Sequence, residues 1–388
     1  MARDAAAAML ALALLVVYLC LIMGRSVLRG LVAAGLAALL LCGSALAAVP
    51  IRWGKPFAVA APVFSLACPS RGLCLAGTTA GLLVSTDPPG GASAWLQGPS
   101  APADGIFGAT VNAVACPSAS FCVAAGPDSI LSSSDPAGGV TAWSINRLSL
   151  PAGHYLTSVA CQSRRLCVAV ARSVRLPGCC RAPTGGLVYV SSDPSGGPGA
   201  WRAEPLHDMP ASVSCLASYC LLSTLDGDVL VSADPGRGVR SWRRVHVIGR
   251  PGYSFTLGAL ACATPRACVM PLPGPYGVAF SRDPAAGWHA LFPAIVRANG
   301  GWLSGSCATA GLCVFSTLFG LRRAGGAAYG ELFTTDDLGR VWQRHTVAGL
   351  GLSLVVSCAS PAFCVAAGGG YHGNAPPVPF GQVVVGTA

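Results

Sequence analysis

"SSDPAGGVTAW" occupies residues 133–143, and close copies stand at 85–95 ("STDPPGGASAW"), 191–201 ("SSDPSGGPGAW") and 232–242 ("SADPGRGVRSW"). Shorter versions follow at 281–288 ("SRDPAAGW") and 334–342 ("TTDDLGRVW"). Each is a turn with its chemistry visible. Asp bonds local backbone, Pro presets φ and Gly permits the tight return. The Trp that follows is a large apolar body suited to packing over a hairpin. A phrase that recurs through one chain marks a repeat architecture.

The cysteines set the period. Seven pairs occur, Cys68/Cys74, Cys116/Cys122, Cys161/Cys167, Cys215/Cys220, Cys262/Cys268, Cys307/Cys313 and Cys358/Cys364, with first members 45 to 54 residues apart. In each unit an apolar run reaches the first cysteine ("VNAVAC"), a Pro/Ser-rich turn follows, and a second run carries the partner ("FCVAA"). A third run ends in the Asp turn and a fourth carries the Trp. These are strand-length runs bounded by turn formers, and four strands per repeat describe a propeller blade. The 53% hydrophobic and 10% charged composition fits sheets covered on both faces, which lose polar alternation.

Seven units predict an all-β, seven-bladed β-propeller with four-stranded blades. The last unit supplies three strands and lacks a Trp-bearing fourth, whereas "VPIRWGKPF" (49–57) has an unpaired Trp53. This segment is expected to join the last blade and close the ring, making 49–388 a single domain.

Cysteines flanking a four- or five-residue hairpin loop face each other across antiparallel strands, within bridging distance. Zinc sites favour closer pairs with matching partners, and the six histidines follow no such spacing. Disulfides are therefore expected and no metal. Cys179 and Cys180, in "RLPGCCRAPTGG", lie outside the pattern, and their pairing is read as a clip in a long loop or as a redox or ligand feature.

The phrase resembles the Asp box, Ser/Thr-x-Asp-x-Gly-x-x-Trp, of BNR-repeat propellers, a group that includes sialidases, sortilin-type receptors and photosystem II assembly factors. The matching acids are Asp87, Asp135, Asp193, Asp234, Asp283 and Asp336. Five of the six add Pro after the Asp, and four lengthen the turn. The resemblance implies peripheral, structural acids between third and fourth strands. The full repeat is most similar to secreted actinobacterial proteins of the "CPSxxxCVA…SxDPxGGxxAW" kind.

Residues 1–48 read as a leader. From Met23 a basic start, an apolar middle and Ala45-Leu46-Ala47 form a secretory signal, with Met23 the expected start. Translation from Met1 would add a membrane segment, and an uncleaved leader would be the one membrane attachment. Removing 1–47 takes away Arg3, Arg25, Arg29 and Asp4, lowering the net charge from +10 to +8. An extracytoplasmic location at the cell envelope suits persistent disulfides.

Few groups are left for catalysis. A glycosidase needs paired carboxylates, yet outside the Asp boxes the mature chain has Asp104, Asp128, Glu204, Asp208, Asp226, Asp228, Glu331 and Asp337. The sialidase Arg-Ile-Pro segment is replaced by "IRWGKP". P-loop, His-Glu-x-x-His and Gly-x-Ser-x-Gly motifs are missing. No catalytic residue and no cofactor are assigned.

Irregular sequence instead concentrates between second and third strands and between blades, where rigid frames carry functional loops. Tyr155, Arg175, Arg181, Tyr253, Tyr276, Trp302, Arg322, Arg323 and Tyr371 are the candidate ligand-binding residues, because Arg with aromatics suits anionic or sugar-like ligands. An envelope glycan, an anionic polymer or a protein would match. The basic run 237–250 falls on an outermost strand, where charge discourages edge pairing. It lacks the aromatic interleaving of nucleic-acid binders. The reading is an exported scaffold for binding or protein interaction. A carbohydrate-active hydrolase or lyase, and an assembly factor for membrane complexes, stand as alternatives.

Overall fold

Seven antiparallel sheets follow one another along the chain at 63–97, 113–147, 154–206, 210–246, 261–291, 302–348 and 355–387, the first six of them four-stranded meanders. The computed structural model describes residues 51–388 except 103–107, 174–184, 248–259, 273–276, 292–301, 310, 318–328, 337–340, 349–354 and 373–377. Middle strands are covered on both sides: Leu73–Thr78, Phe121–Ala125 and Asp228–Ser232 are buried at every position. That double coverage explains the apolar runs of the sequence.

The seventh blade has three strands from the C-terminal unit, and the start of the described chain completes it. Arg52 and Trp53 pair antiparallel with Thr387 and Gly386, and Phe57, Ala58 and Val59 with Val383, Gln382 and Gly381. The closing segment is two short strands, Arg52–Trp53 and Phe57–Val59. Pro56 between them has no N–H to give the ladder, while the Gly54 N–H still reaches the Val385 carbonyl at 2.9 Å.

Seven apolar clusters fill the seven wedges between neighbouring blades, including the wedge between the last and the first. The repeated Trp belongs to these wedges. Trp95 of blade 1 packs with Phe363 and Val365 of blade 7. Trp143 of blade 2 packs with Leu73, Leu75 and Leu82 of blade 1. Trp201 of blade 3 packs with Phe121 and Val123 of blade 2. Each buried indole stabilises a wedge by roughly 3 kcal/mol, so the phrase binds each blade to the one before it.

Within the phrase, two glycines do different work. A Cβ at Gly138 would overlap the Asp135 carboxylate, which folds back over the turn, whereas Gly139 has φ +81°, a conformation few side chains adopt. The serine that opens the phrase is the main hydrogen-bonding group. Ser133 Oγ accepts the Asp135 N–H at 3.0 Å and donates to the Ala142 carbonyl at 2.7 Å. Ser85, Ser191, Ser232 and Ser281 likewise accept the N–H of Asp87, Asp193, Asp234 and Asp283. The expectation that each carboxylate takes its own turn's N–H groups is met, among the described side chains, at Asp283 alone, with Ala285 at 3.1 Å and Ala286 at 3.2 Å. In the longer turns of blades 1 to 3 the Cα of Gly90, Gly138 or Gly196 lies beneath the carboxylate, and the glycine N–H donates to the Asp carbonyl instead. The Asp336 side chain lies outside the described residues.

All seven expected disulfides are present: Cys68–Cys74, Cys116–Cys122, Cys161–Cys167, Cys215–Cys220, Cys262–Cys268, Cys307–Cys313 and Cys358–Cys364. Each clips the hairpin between the first and second strands of its blade; Cys215 stands opposite Cys220 in register. The second cysteine of each pair (Cys74, Cys122, Cys167, Cys220, Cys268, Cys313 and Cys364) is buried, because the second strand is covered by blades on both sides. These sulfurs belong to the core and offer no surface to a ligand; Cys313, for example, packs in one wedge with Phe280, Phe315 and Phe333. Cys179 and Cys180 lie outside the described residues.

Candidate functional site

The first strand of every blade faces the ring axis with one edge unpaired by sheet. Residues from all seven, among them Phe64, Asn112, Ser158, Ser212, Ala261, Ser306 and Ser357, line a central channel of about 500 Å³. Its lining is apolar and hydroxyl-bearing, with no Asp, Glu, His, Lys or Arg among the described residues. Phe64 is 43% exposed there.

An unpaired strand edge leaves backbone N–H groups to satisfy, and serines of the preceding blade do so. Ser158 Oγ accepts from Val213 N–H at 3.1 Å, Ser212 from Leu260 at 3.1 Å, Ser306 from Cys358 at 3.0 Å and Ser357 from Cys68 at 2.9 Å. Asn112 Nδ2 donates to the Leu156 carbonyl at 2.8 Å. Serines one or three residues before the first cysteine of a blade (Ser158 in "SVAC", Ser212 in "SVSC", Ser306 in "SGSC", Ser357 in "VVSC") thus stitch inner strands across wedges. Sequence reading passes over them because small polar residues beside a turn carry no distinctive signal.

At one end of the ring lie the connections from second to third strands and from blade to blade. Tyr155, at the start of the first strand of blade 3, stands opposite Arg172 in register. Arg172 Nε donates to Tyr155 Oη at 3.0 Å, and the guanidinium carbon is 5.7 Å from the ring centroid. Nearby, the buried Tyr189 donates to the Ser149 carbonyl at 3.2 Å, holding the connection from blade 2 to blade 3. Burial pushes the Tyr189 phenol above its usual pKa. Of the other candidates, Trp302 and Tyr371 are described by backbone alone, opposite Thr317 and Pro379. Arg175, Arg181, Tyr253, Tyr276, Arg322 and Arg323 lie outside the described residues.

The buried acids at this end are engaged, while Asp226 in the blade 4 connection is exposed. In blade 4, Arg244 binds Asp208 Oδ1 at 2.6 Å and Asp228 Oδ2 at 2.8 Å, while His246 Nδ1 meets Asp228 Oδ1. Both acids are buried. Burial works to lower the Arg244 pKa, but the bonds and charges of the two acids outweigh it and raise the value. Blade 6 repeats the arrangement: buried Glu331 on the third strand pairs with Arg344 on the fourth. In blade 2, Arg147 lies 3.7 Å from Asp128. Within the basic run, Arg244 and His246 on the outermost strand hold buried carboxylates and Arg243 donates to the Ala285 carbonyl of the next blade. On blade 6, burial lowers the His345 pKa, and its Nε2 lies 3.0 Å from Thr334 Oγ1. Among the described residues, the arrangement offers aromatic and guanidinium surfaces rather than a poised acid pair at the axis.

No protein-family model matches the chain, and no curated protein matches it. Solved structures do. A structure of YCF48 bound to D1 peptide superposes with a TM-score of 0.56 at 15% identity, covering 87% of this chain and 96% of that one. YCF48 from Cyanidioschyzon merolae gives 0.55 at 14% identity, covering 86% and 98%. The likeness is one of fold. Seven disulfides are in keeping with an oxidising, extracytoplasmic environment. No helix among the described residues is long and apolar enough to cross a membrane.

Proposed function

We propose that this chain is an exported binding scaffold at the cell envelope, engaging its partner through the end built by second-to-third-strand and inter-blade connections. The observation that carries this reading is the distribution of charge. The described channel wall is neutral, and the buried acids of blades 4 and 6 are taken up by arginines. What the loop sequences add is Tyr155, Arg175, Arg181, Tyr253, Tyr276, Trp302, Arg322, Arg323 and Tyr371, a set suited to anionic or sugar-like groups on a glycan, an anionic polymer or a protein. Rigid blades hold such loops at little entropic cost on binding. The fold likeness to YCF48, solved with a D1 peptide, supports a peptide as the partner class to test first. An exported address follows from the leader, with 49–388 as the working domain.

The test is a peptide and glycan array probed with the purified protein and with the variant R175A/R181A/R322A/R323A. The expected result is binding without turnover, weakened at least roughly tenfold in the variant. Hydrolysis of an arrayed glycan that is abolished by Asp208→Asn or Glu331→Gln would turn the reading toward the hydrolase alternative.

A further inference from the structure

The opposite end of the ring carries the seven disulfide hairpins, which surround the axis because they join first to second strands. None of the seven enclosed turns contains Asp or Glu, yet they hold Arg71 in blade 1, Arg164 and Arg165 in blade 3 and Arg266 in blade 5. All four arginines are exposed. Among the described residues none of the four has an ion pair; Arg71 rests against the Phe363 ring of blade 7, 5.9 Å from its centroid. The turns are held in shape by more than the sulfur bridge. Ser163 Oγ accepts the Arg165 N–H at 3.1 Å, and Thr264 Oγ1 accepts that of Arg266 at 3.2 Å. Tyr219 of blade 4 donates to the Pro265 carbonyl at 2.7 Å, bracing the turn that bears Arg266.

The Asp-box turns occupy the same end, two strands farther from the axis. With strands about 4.8 Å apart, that offset is about 10 Å, near one Debye length at physiological salt. Asp234 is paired with Arg237 at 3.2 Å and Asp283 is bonded to its own turn, while Asp87, Asp135 and Asp193 form an exposed acidic arc on blades 1 to 3 and exposed Arg240 and Arg282 stand on blades 4 and 5. A cationic centre bordered on one side by an acidic arc disfavours a broad anionic sheet such as a bilayer, which would have to cover both, and admits a narrow anionic strand. Between the guanidinium groups the turns present exposed Pro265, Pro361 and Ala362, which match the apolar and amide parts of a polypeptide and offer nothing to a bare phosphate chain.

We infer that the disulfide-hairpin end is a second binding surface, distinct from the loop end, and that it takes an acidic polypeptide segment through Arg71, Arg164, Arg165 and Arg266. Forked guanidinium groups on rigid turns pair with carboxylates with little ordering cost.

The test measures binding of a fluorescein-labelled deca-glutamate peptide to the full chain by anisotropy at low salt. Two variants of equal charge change separate position from net charge: R164Q/R165Q on the inner turn and R237Q/R240Q on the outer turn, each checked for seven intact disulfides. The inner variant should weaken binding by roughly fivefold or more and the outer by less than about twofold. Equal losses in the two variants, no binding by the wild type, or tighter binding of polyphosphate or phosphatidylglycerol vesicles than of deca-glutamate would each overturn the inference.

Discussion

A chain lacking residues 49–59 is expected to lose the native ring altogether. The deleted segment contains Ile51, 3% exposed, together with Trp53, Phe57 and Val59, which pack into the wedges on either side of blade 7. Burial of these side chains is worth roughly 5–10 kcal/mol, comparable with the ~5–15 kcal/mol that holds an ordinary domain together. The loss does not stop at side chains. Without the segment, the C-terminal strand Val378–Thr387 becomes an outer edge with its ladder groups open, the condition that invites edge-to-edge association. Circular dichroism and size-exclusion chromatography of the truncated chain should show loss of the cooperative thermal transition and aggregated material. A monomer that melts within a few degrees of the intact chain would refute the closing role.

Reduction should come second in size. Each clip closes a short hairpin loop and, in the chain-entropy view, stabilises by about 2 kcal/mol. All seven together match the stability of the whole fold even after allowance for imperfect additivity. Calorimetry with and without a strong reductant should find a fall in Tm of roughly 20 °C or more, at about 2 °C per kcal/mol for a domain of this size. Replacing a single pair, Cys215→Ser with Cys220→Ser, should lower Tm by about 4 °C. A reduced protein that melts where the oxidised one does would show that the wedge packing alone is sufficient. The buried positions of Cys74, Cys122, Cys167, Cys220, Cys268, Cys313 and Cys364 make the reductant slow to act, so incubation under mild denaturant belongs in the protocol.

How much of the fold is legible in the sequence depends on the range of the interaction. The "SSDPAGGVTAW" turn, the Cys-hairpin-Cys clip and the strand that follows are local, and local chemistry is legible: blade number, strand order, seven bridges and the partner of Trp53 all follow from spacing. Longer-range pairings are not. Asp208 meets Arg244 across 36 positions, and nothing near either residue announces the other. Tyr155 stands out in the sequence, but its Arg172 partner depends on an irregularity in register between Leu156 and Ser158 that shifts which side chains face each other. The break in the closing strand comes from Pro56, visible in the sequence yet outweighed there by the Trp53 match. The role expected of the Asp carboxylates is met only at Asp283 among the described side chains. In the longer turns of blades 1 to 3 a glycine Cα lies beneath the carboxylate and that glycine's N–H bonds the Asp carbonyl, while the serine two residues earlier takes a different donor, the N–H of the Asp itself. The loop arginines 175, 181, 322 and 323 fall outside the described residues, so their assignment continues to rest on sequence.

A covalent lock across the seam tests ring closure most directly. Arg52 and Thr387 are Cα partners in the antiparallel ladder, and cross-strand partners lie within the distance a disulfide spans. In the double variant Arg52→Cys with Thr387→Cys, peptide mapping under non-reducing conditions should find the two new thiols joined to each other beside the seven native pairs. Two free thiols in a chain whose seven hairpin disulfides are intact would contradict a ring sealed by its own first strand.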